Sequence, residues 1–211
     1  MYTLHTLPDS ASTIIRMALD EMAVPHTLRA LDREAGDLDS AAYRAISPFG
    51  LVPVLETPDG AIFETGAILL WLADRHSKLA PAITSQDRAA FMARFIFVAN
   101  TLHPTAMTLI YPERPAGEAA APQVIRIAHD RLRAQLAYLN SAGLDPTPSI
   151  LTIYLSVIVR WIAVFAADPA FAITPGDFPT LAAIARSLEQ RPKIAAVAEN
   201  EGLGRTPFTA P

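Results

Sequence analysis

Apolar and polar positions alternate in short runs near the start of the chain and recur at helical spacing in the remainder. Residues 2–6 (Tyr-Thr-Leu-His-Thr) are rich in β-branched and aromatic side chains, which predicts a strand. Leu7-Pro8-Asp9-Ser10 is turn chemistry, and the apolar residues between 13 and 22 recur at the spacing of a helix face. Ser10 and Ser12 both stand where that helix would take an N-cap, and Ser12 is the one assigned to it. Residues 25–31 follow as a second strand, at the separation a βαβ crossover requires. A charged loop over 32–39 and a short helix near 40–46 lead to a third strand from Val52 to Glu56. Asp59-Gly60 signals a two-residue hairpin, so residues 61–63 return antiparallel. Thr65 is placed to cap the helix expected over 66–76. The first part is therefore β-α-β-α-β-β-α.

Strand signals stop there. Residues 78–84 contain Pro81 and are expected to link residues 1–77 to an all-α second domain over 85–211. Long helical patterns cover 85 to about 107, 117–140, 148–166, 178–188 and 191–200, with prolines at many of the boundaries. The last ten residues, 202–211, are expected to form a surface extension. Residues 150–167 are the one run apolar enough to suggest a membrane span, but Thr152, Tyr154, Ser156 and Arg160 interrupt it, which favours a buried helix.

Composition narrows the functional classes. The 211 residues are 51% hydrophobic, enough for a substantial core. With 17 basic and 21 acidic residues the formal charge is −4 and no long basic run occurs, so neither nucleic acid nor an anionic membrane is an expected partner. The chain has no cysteine, which removes disulfides and a protein thiol nucleophile and suits a reducing cytoplasm. Its start has neither a basic n-region nor an apolar h-region, so no secretory signal is expected. The five histidines lack metal-ligand spacing, and no metal is expected. No Gly-x-Ser-x-Gly elbow or phosphate-binding glycine loop occurs.

What remains is the edge formed by residues 49–56. Pro53 cannot donate to a ladder, and the Val52 backbone before it is free to pair with an extended ligand by strand addition. Glu64 and Thr65, at a helix start, can accept from an ammonium and donate to a carboxylate.

Pro48-Phe49-Gly50-Leu51-Val52-Pro53-Val54-Leu55, followed by Asp59-Gly60 and Glu64-Thr65, resembles the glutathione-site segment of the glutathione S-transferase family, of cytosolic, bacterial-like type. The likeness extends to a thioredoxin-like order in the first half and a helical second half. Ser149 to Tyr154 is similar to the capping box of the family's sixth helix, and Asn100-Thr101-Leu102-His103-Pro104 to a segment of bacterial members. The resemblance implies a cis Pro53, a Val52 backbone that pairs with the cysteinyl unit of glutathione, and a γ-glutamyl end held by Glu64 and Thr65. It implies conjugation of glutathione, as cosubstrate, to a small electrophile in a detoxification role, by a homodimer joined through the third helix and the first long helix. Asn100 and His103 resemble polar residues lining the site.

Family members place Tyr, Ser or Cys near the first helix to activate the thiol. Here the usual bacterial serine position falls on Asp9 and the cysteine position on Ala11. Ser10 is then the candidate donor and Ser12 the second, while an Asp9 carboxylate beside a sulfur would oppose thiolate formation. Thr152 replaces the usual Asp of the capping box. Two alternatives share the site: a non-catalytic glutathione-transferase-like binding protein, and a glutathione-dependent isomerase or peroxidase.

Overall fold

The structure, a computed structural model, describes all of residues 1–211. Its first part is a four-stranded mixed sheet with strand order β2-β1-β3-β4. The strands are β1 (Tyr2–Thr6), β2 (His26–Ala30), β3 (Val54–Thr57) and β4 (Gly60–Phe63). β1 pairs in parallel with β2 and antiparallel with β3, so the crossover strand lies on one side of it and the β3–β4 hairpin on the other. In the β3–β4 hairpin Thr57 faces Gly60, which makes Pro58 and Asp59 the turn residues and Gly60 the first residue of β4.

Helices α1 (Ala11–Met22), α2 (Ala41–Arg44) and α3 (Thr65–His76) complete this part. Beyond it the chain is helical: α4 (Arg88–Phe97), α5 (His103–Ile110), α6 (Glu113–Ala116), α7 (Ala121–Ser141), α8 (Ile150–Phe165), α9 (Pro179–Glu189) and α10 (Pro192–Asn200). This is the thioredoxin-like sheet followed by an all-α region that the sequence predicts.

The first long helical pattern is not continuous. Between α4 and α5 residues 98–102 form a π-turn in which the His103 N–H donates to the Val98 carbonyl. The cause is Pro104, which lacks an N–H and would drive its ring into the Asn100 carbonyl of a regular helix, so the wider turn absorbs the defect. No helix is long and apolar enough to cross a membrane. α8 is instead the central buried helix, capped as expected by Ser149 and Thr152, whose side chains each accept the other's backbone N–H, Thr152 to Ser149 Oγ at 3.1 Å and Ser149 to Thr152 Oγ1 at 2.8 Å.

One hydrophobic cluster runs through both parts. Leu4, Ile14 and Leu55 of the sheet region belong to the same 45-residue core as Leu132, Ile158 and Ile184 of the helical region. The tail corrects the expectation of a surface extension. Leu203 and Phe208 are buried in this core, and the Glu189 carboxylate accepts the Phe208 and Thr209 N–H groups, each at 2.8 Å. Two isolated apolar residues carry no periodicity, so their docking was invisible in the pattern.

Candidate functional site

The cleft begins with a turn that only glycine can make. Gly50 has φ +63°, and a Cβ there would lie 2.6 Å from the Leu38 carbonyl oxygen. The Gly50 N–H donates to the Ser47 carbonyl at 2.9 Å, closing the turn. The buried Ser47 hydroxyl then donates to the Leu51 carbonyl at 2.8 Å and accepts the Leu51 N–H at 3.0 Å, while the Tyr43 hydroxyl reaches the same carbonyl at 2.9 Å. Leu51 is thereby fully satisfied. Val52, next in line, has neither its N–H nor its C=O paired, and the Val52–Pro53 bond is cis, as the resemblance implies.

β4 ends at Phe63, and the residue before α3 is Glu64, in a conformation rare for a non-glycine residue (φ 73°, ψ 118°). Glu64, not Thr65, occupies the N-cap position. The expected Thr65 cap fails because the tight passage from hairpin to helix shifts the helix start one residue back, leaving Thr65 as its buried first residue. The Glu64 carbonyl accepts the Ile68 N–H at 3.0 Å, but its exposed carboxylate has no protein partner. The first N–H groups of α3 are likewise free of a side-chain cap, which leaves partial positive charge at the cleft.

The loop before α1 is built in the opposite way. Ser10 is the N-cap of α1, in a capping box with Thr13, and Ser12 lies fully buried as the second residue of the helix. This reverses the expected roles: Ser10 has the extended dihedrals a cap needs, φ −127° and ψ −177°, while Ser12 is already helical. Ser10 Oγ donates to the Leu7 carbonyl at 2.6 Å, and Ser12 Oγ donates to the same carbonyl at 3.0 Å and accepts the Leu7 N–H at 3.1 Å.

Asp9, at φ 47°, is held from three directions. Its N–H donates to Glu201, Arg160 donates to both carboxylate oxygens at 3.3 and 2.8 Å, and Trp161 Nε1–H donates at 3.0 Å. Arg160 is 6% exposed and also donates to the Pro207 carbonyl at 3.3 Å. The Asp9 charge is therefore matched by a buried cation, which offsets the opposition to a neighbouring thiolate expected of that carboxylate. The sequence carried a signal for this: a cation inside an otherwise apolar helix has to find a buried partner.

The third wall comes from α5 and α8. His103 Nδ1 lies 2.7 Å from the Tyr154 hydroxyl, and its ring is 5.6 Å from that of Trp161. Burial pushes the His103 imidazole down to about 4, so it is neutral at physiological pH. Burial also raises the Tyr154 phenol, reinforced by the nearby Glu64 carboxylate and opposed by the Thr65 hydroxyl.

Together these walls enclose an open cleft of about 660 Å³. Ser10, Val52, Pro53, Glu64, Thr65 and His103 all line it, with Met107, Ile110 and Phe165 as an apolar side and Arg114 stacked on Tyr111 at 3.6 Å. The structure does not bring Ser12 or Asn100 into the lining: Ser12 is buried behind Ser10, and Asn100 is exposed on the π-turn. Asp9 and Trp161, which do line the cleft, were missed as a pair because 152 residues separate them. No group of three or more His, Cys, Asp or Glu side chains is arranged to hold a metal.

Residues 10–75 match the family described as glutathione S-transferase, N-terminal domain. Over 207 residues the chain is 27% identical to glutathione S-transferase GstA of Escherichia coli O157:H7, covering 93% of this chain and 96% of that one. It is 24% identical over 208 residues to the GST-like protein YncG of Escherichia coli K12, covering 93% and 97%. A sphingomonad glutathione S-transferase, solved in complex with glutathione, superposes with a TM-score of 0.77 at 28% identity, covering 96% of this chain and all of that one. A cis-Pro53 edge below a helical wall, in a chain alike over its length to these proteins, is the architecture they share: residues 10–75 match the N-terminal domain of the glutathione S-transferases, and the whole chain is similar to members of that family.

Proposed function

We propose that the chain is a glutathione transferase. The observation that carries the reading is the unpaired wall of the cleft, where the Val52 N–H and C=O and the Glu64 carboxylate all lack protein partners. Glutathione supplies what each needs. Its cysteinyl backbone adds to Val52 as a short strand, its ammonium donates to Glu64, and its γ-glutamyl carboxylate accepts from the Thr65 hydroxyl and the first N–H groups of α3. The glutathione complex of the sphingomonad relative supports this assignment.

Bound so, the sulfur falls between the 7–12 loop and His103. A thiol of ordinary pKa about 8.5 is mostly protonated at neutral pH, and donors aimed at the sulfur favour the thiolate. Ser10 can turn its hydroxyl toward the sulfur without orphaning the Leu7 carbonyl, because Ser12 donates to that carbonyl as well. The released proton goes to solvent. The thiolate forms the S–C bond to an electrophile resting on Met107, Ile110 and Phe165, and the leaving group departs with the bonding pair or, in an addition, the acceptor atom is protonated.

Calorimetry with glutathione and a thiol-conjugation assay test the proposal. Binding at or below millimolar concentration with turnover is expected, and no detectable binding overturns it. One observation favours a second reading, a glutathione-binding protein without catalysis: in this structure both serine hydroxyls are engaged at Leu7. Binding without turnover selects that reading.

We also propose a homodimer formed through α3 and α4, on which Trp71 is partly and Ile96 substantially exposed. Sedimentation at micromolar concentration is expected to give twice the chain mass.

A further inference from the structure

The turn that follows α5 leaves one cation at the apolar side of the cleft. Pro112 fixes its own φ at −69°, and the Arg114 N–H donates to the Tyr111 carbonyl at 3.2 Å. This turn folds the Arg114 side chain over the Tyr111 ring, with the guanidinium carbon 3.6 Å from the ring centre. Stacking engages the flat face of the guanidinium and leaves its N–H edges free. Those edges have no hydrogen-bond acceptor in the protein. The nearest carboxylate, Glu113 on the same short helix, stands 3.9 Å from Nε, and both side chains are substantially exposed.

The other charges that line the cleft have different stations. Asp9 is neutralised by Arg160, and Glu64 is assigned to the ammonium of glutathione. Arg33 belongs to the loop whose Leu38 carbonyl packs on the Gly50 turn, next to the backbone assigned to glutathione. Arg114 instead follows directly on α5, which contributes Met107 and Ile110 to the surface where the electrophile rests.

A planar fork of donors, held against an aromatic ring at the end of an apolar surface, complements a ligand with an apolar body and a carboxylate. The chain as a whole carries a formal charge of −4, so any preference for an anion has to arise from a local cation and not from the general field. We propose, on the basis of the transferase reading, that the electrophile carries a carboxylate, which accepts from the free edge of Arg114 while the electrophilic carbon faces the sulfur. Arg114 is then the specificity-determining residue of the cleft. With a chloroarene of this class the thiolate adds at the carbon bearing chlorine, the S–C bond forms, and chloride leaves with the C–Cl bonding pair.

The test compares para-chloro-meta-nitrobenzoate with the matching benzamide, which keeps the shape and removes the charge. Each kcat/KM is divided by the rate constant for glutathione alone in solution, which cancels intrinsic reactivity. The wild type is expected to prefer the benzoate about fivefold, the modest factor that suits an exposed ion pair. Arg114→Gln is expected to bring the ratio to about one, and Arg114→Lys, which keeps the charge and loses the fork, to leave it between the two. Equal rates in the wild type, or a preference that survives Arg114→Gln, overturn the proposal. So does a preference lost in Arg33→Gln and kept in Arg114→Gln, because the anion would then sit at the other cation. The same two compounds, titrated into the glutathione-free protein and followed by NMR, separate this inference from the reading beneath it. Tighter binding of the benzoate that depends on Arg114 supports the anion site even where glutathione does not bind, and absence of glutathione binding overturns the transferase reading alone. Equal affinity for benzoate and benzamide overturns the anion site alone.

Discussion

The two walls that meet at the base of the cleft treat their polar groups in opposite ways. Along residues 50–65 the chain fixes each neighbour of the exposed groups and leaves the groups themselves open: Leu51 is bonded on both sides while Val52 is bonded on neither, and Glu64 holds a positive φ with a free carboxylate. Along residues 7–12 the polar groups turn inward, the serines to Leu7 and Asp9 to Arg160 and Trp161. A wall that recognises a ligand has to keep donors and acceptors unmet until the ligand arrives. A wall that positions a reacting atom has to be rigid first, and the inward bonds supply that rigidity.

Four experiments probe this contrast. The largest effect is expected from Asp9→Ala, which strands the buried Arg160 cation and lowers stability by about 3–5 kcal/mol in urea unfolding. Adding Arg160→Met to the same chain is expected to restore most of that loss, and a single variant that loses less than about 1 kcal/mol would erase the distinction between the walls.

The third wall gives an intermediate case through His103. Its folded imidazole is depressed to about 4 from the ordinary 6.5, so below pH 6.5 the unfolded chain takes up a proton that the folded chain refuses. Stability therefore falls as pH drops from 6.5 toward 4 and levels off below, by about 3 kcal/mol in all. The difference between wild type and His103→Gln, followed by urea unfolding at several pH values, isolates this contribution from the carboxylates.

On the open wall the effect should appear in binding and not in folding. Glu64→Gln is expected to weaken glutathione about 30-fold, near 2 kcal/mol, in calorimetry, with stability changed by less than about 0.5 kcal/mol. An equal loss of stability would make the carboxylate structural. The smallest effect is that of Ser10→Ala, which removes the α1 cap and is expected to cost about 1 kcal/mol in thermal or urea unfolding.

Much of this arrangement was legible in the sequence because it is local. Alternation, the existence of a hairpin and the Phe49–Thr65 segment each depend on residues a few positions apart, although the turn falls on Pro58-Asp59 and not on Asp59-Gly60, and the Ser149–Thr152 cap formed even with Thr in place of Asp. The roles of Ser10 and Ser12 were exchanged because both residue types suit a cap, and backbone dihedrals, which composition does not set, decide between them. Thr65 lost its cap position to Glu64 for the same reason. The Asp9–Arg160 pair spans 151 residues, a distance over which no spacing rule operates. Arg160 was visible as an interruption of an apolar run, but its partner was not.

The single core that joins sheet and helices also bears on how the cleft selects what enters it. Two bodies with separate interiors can pivot about a linker and close on a ligand, whereas these walls share Leu4, Ile14 and Ile158 in one packed interior. The gap between them is set when the chain folds. On the proposed transferase reading, discrimination among electrophiles then lies in the rim side chains, Tyr111, Arg114 and Phe165, which are exposed and free to be exchanged without disturbing the frame.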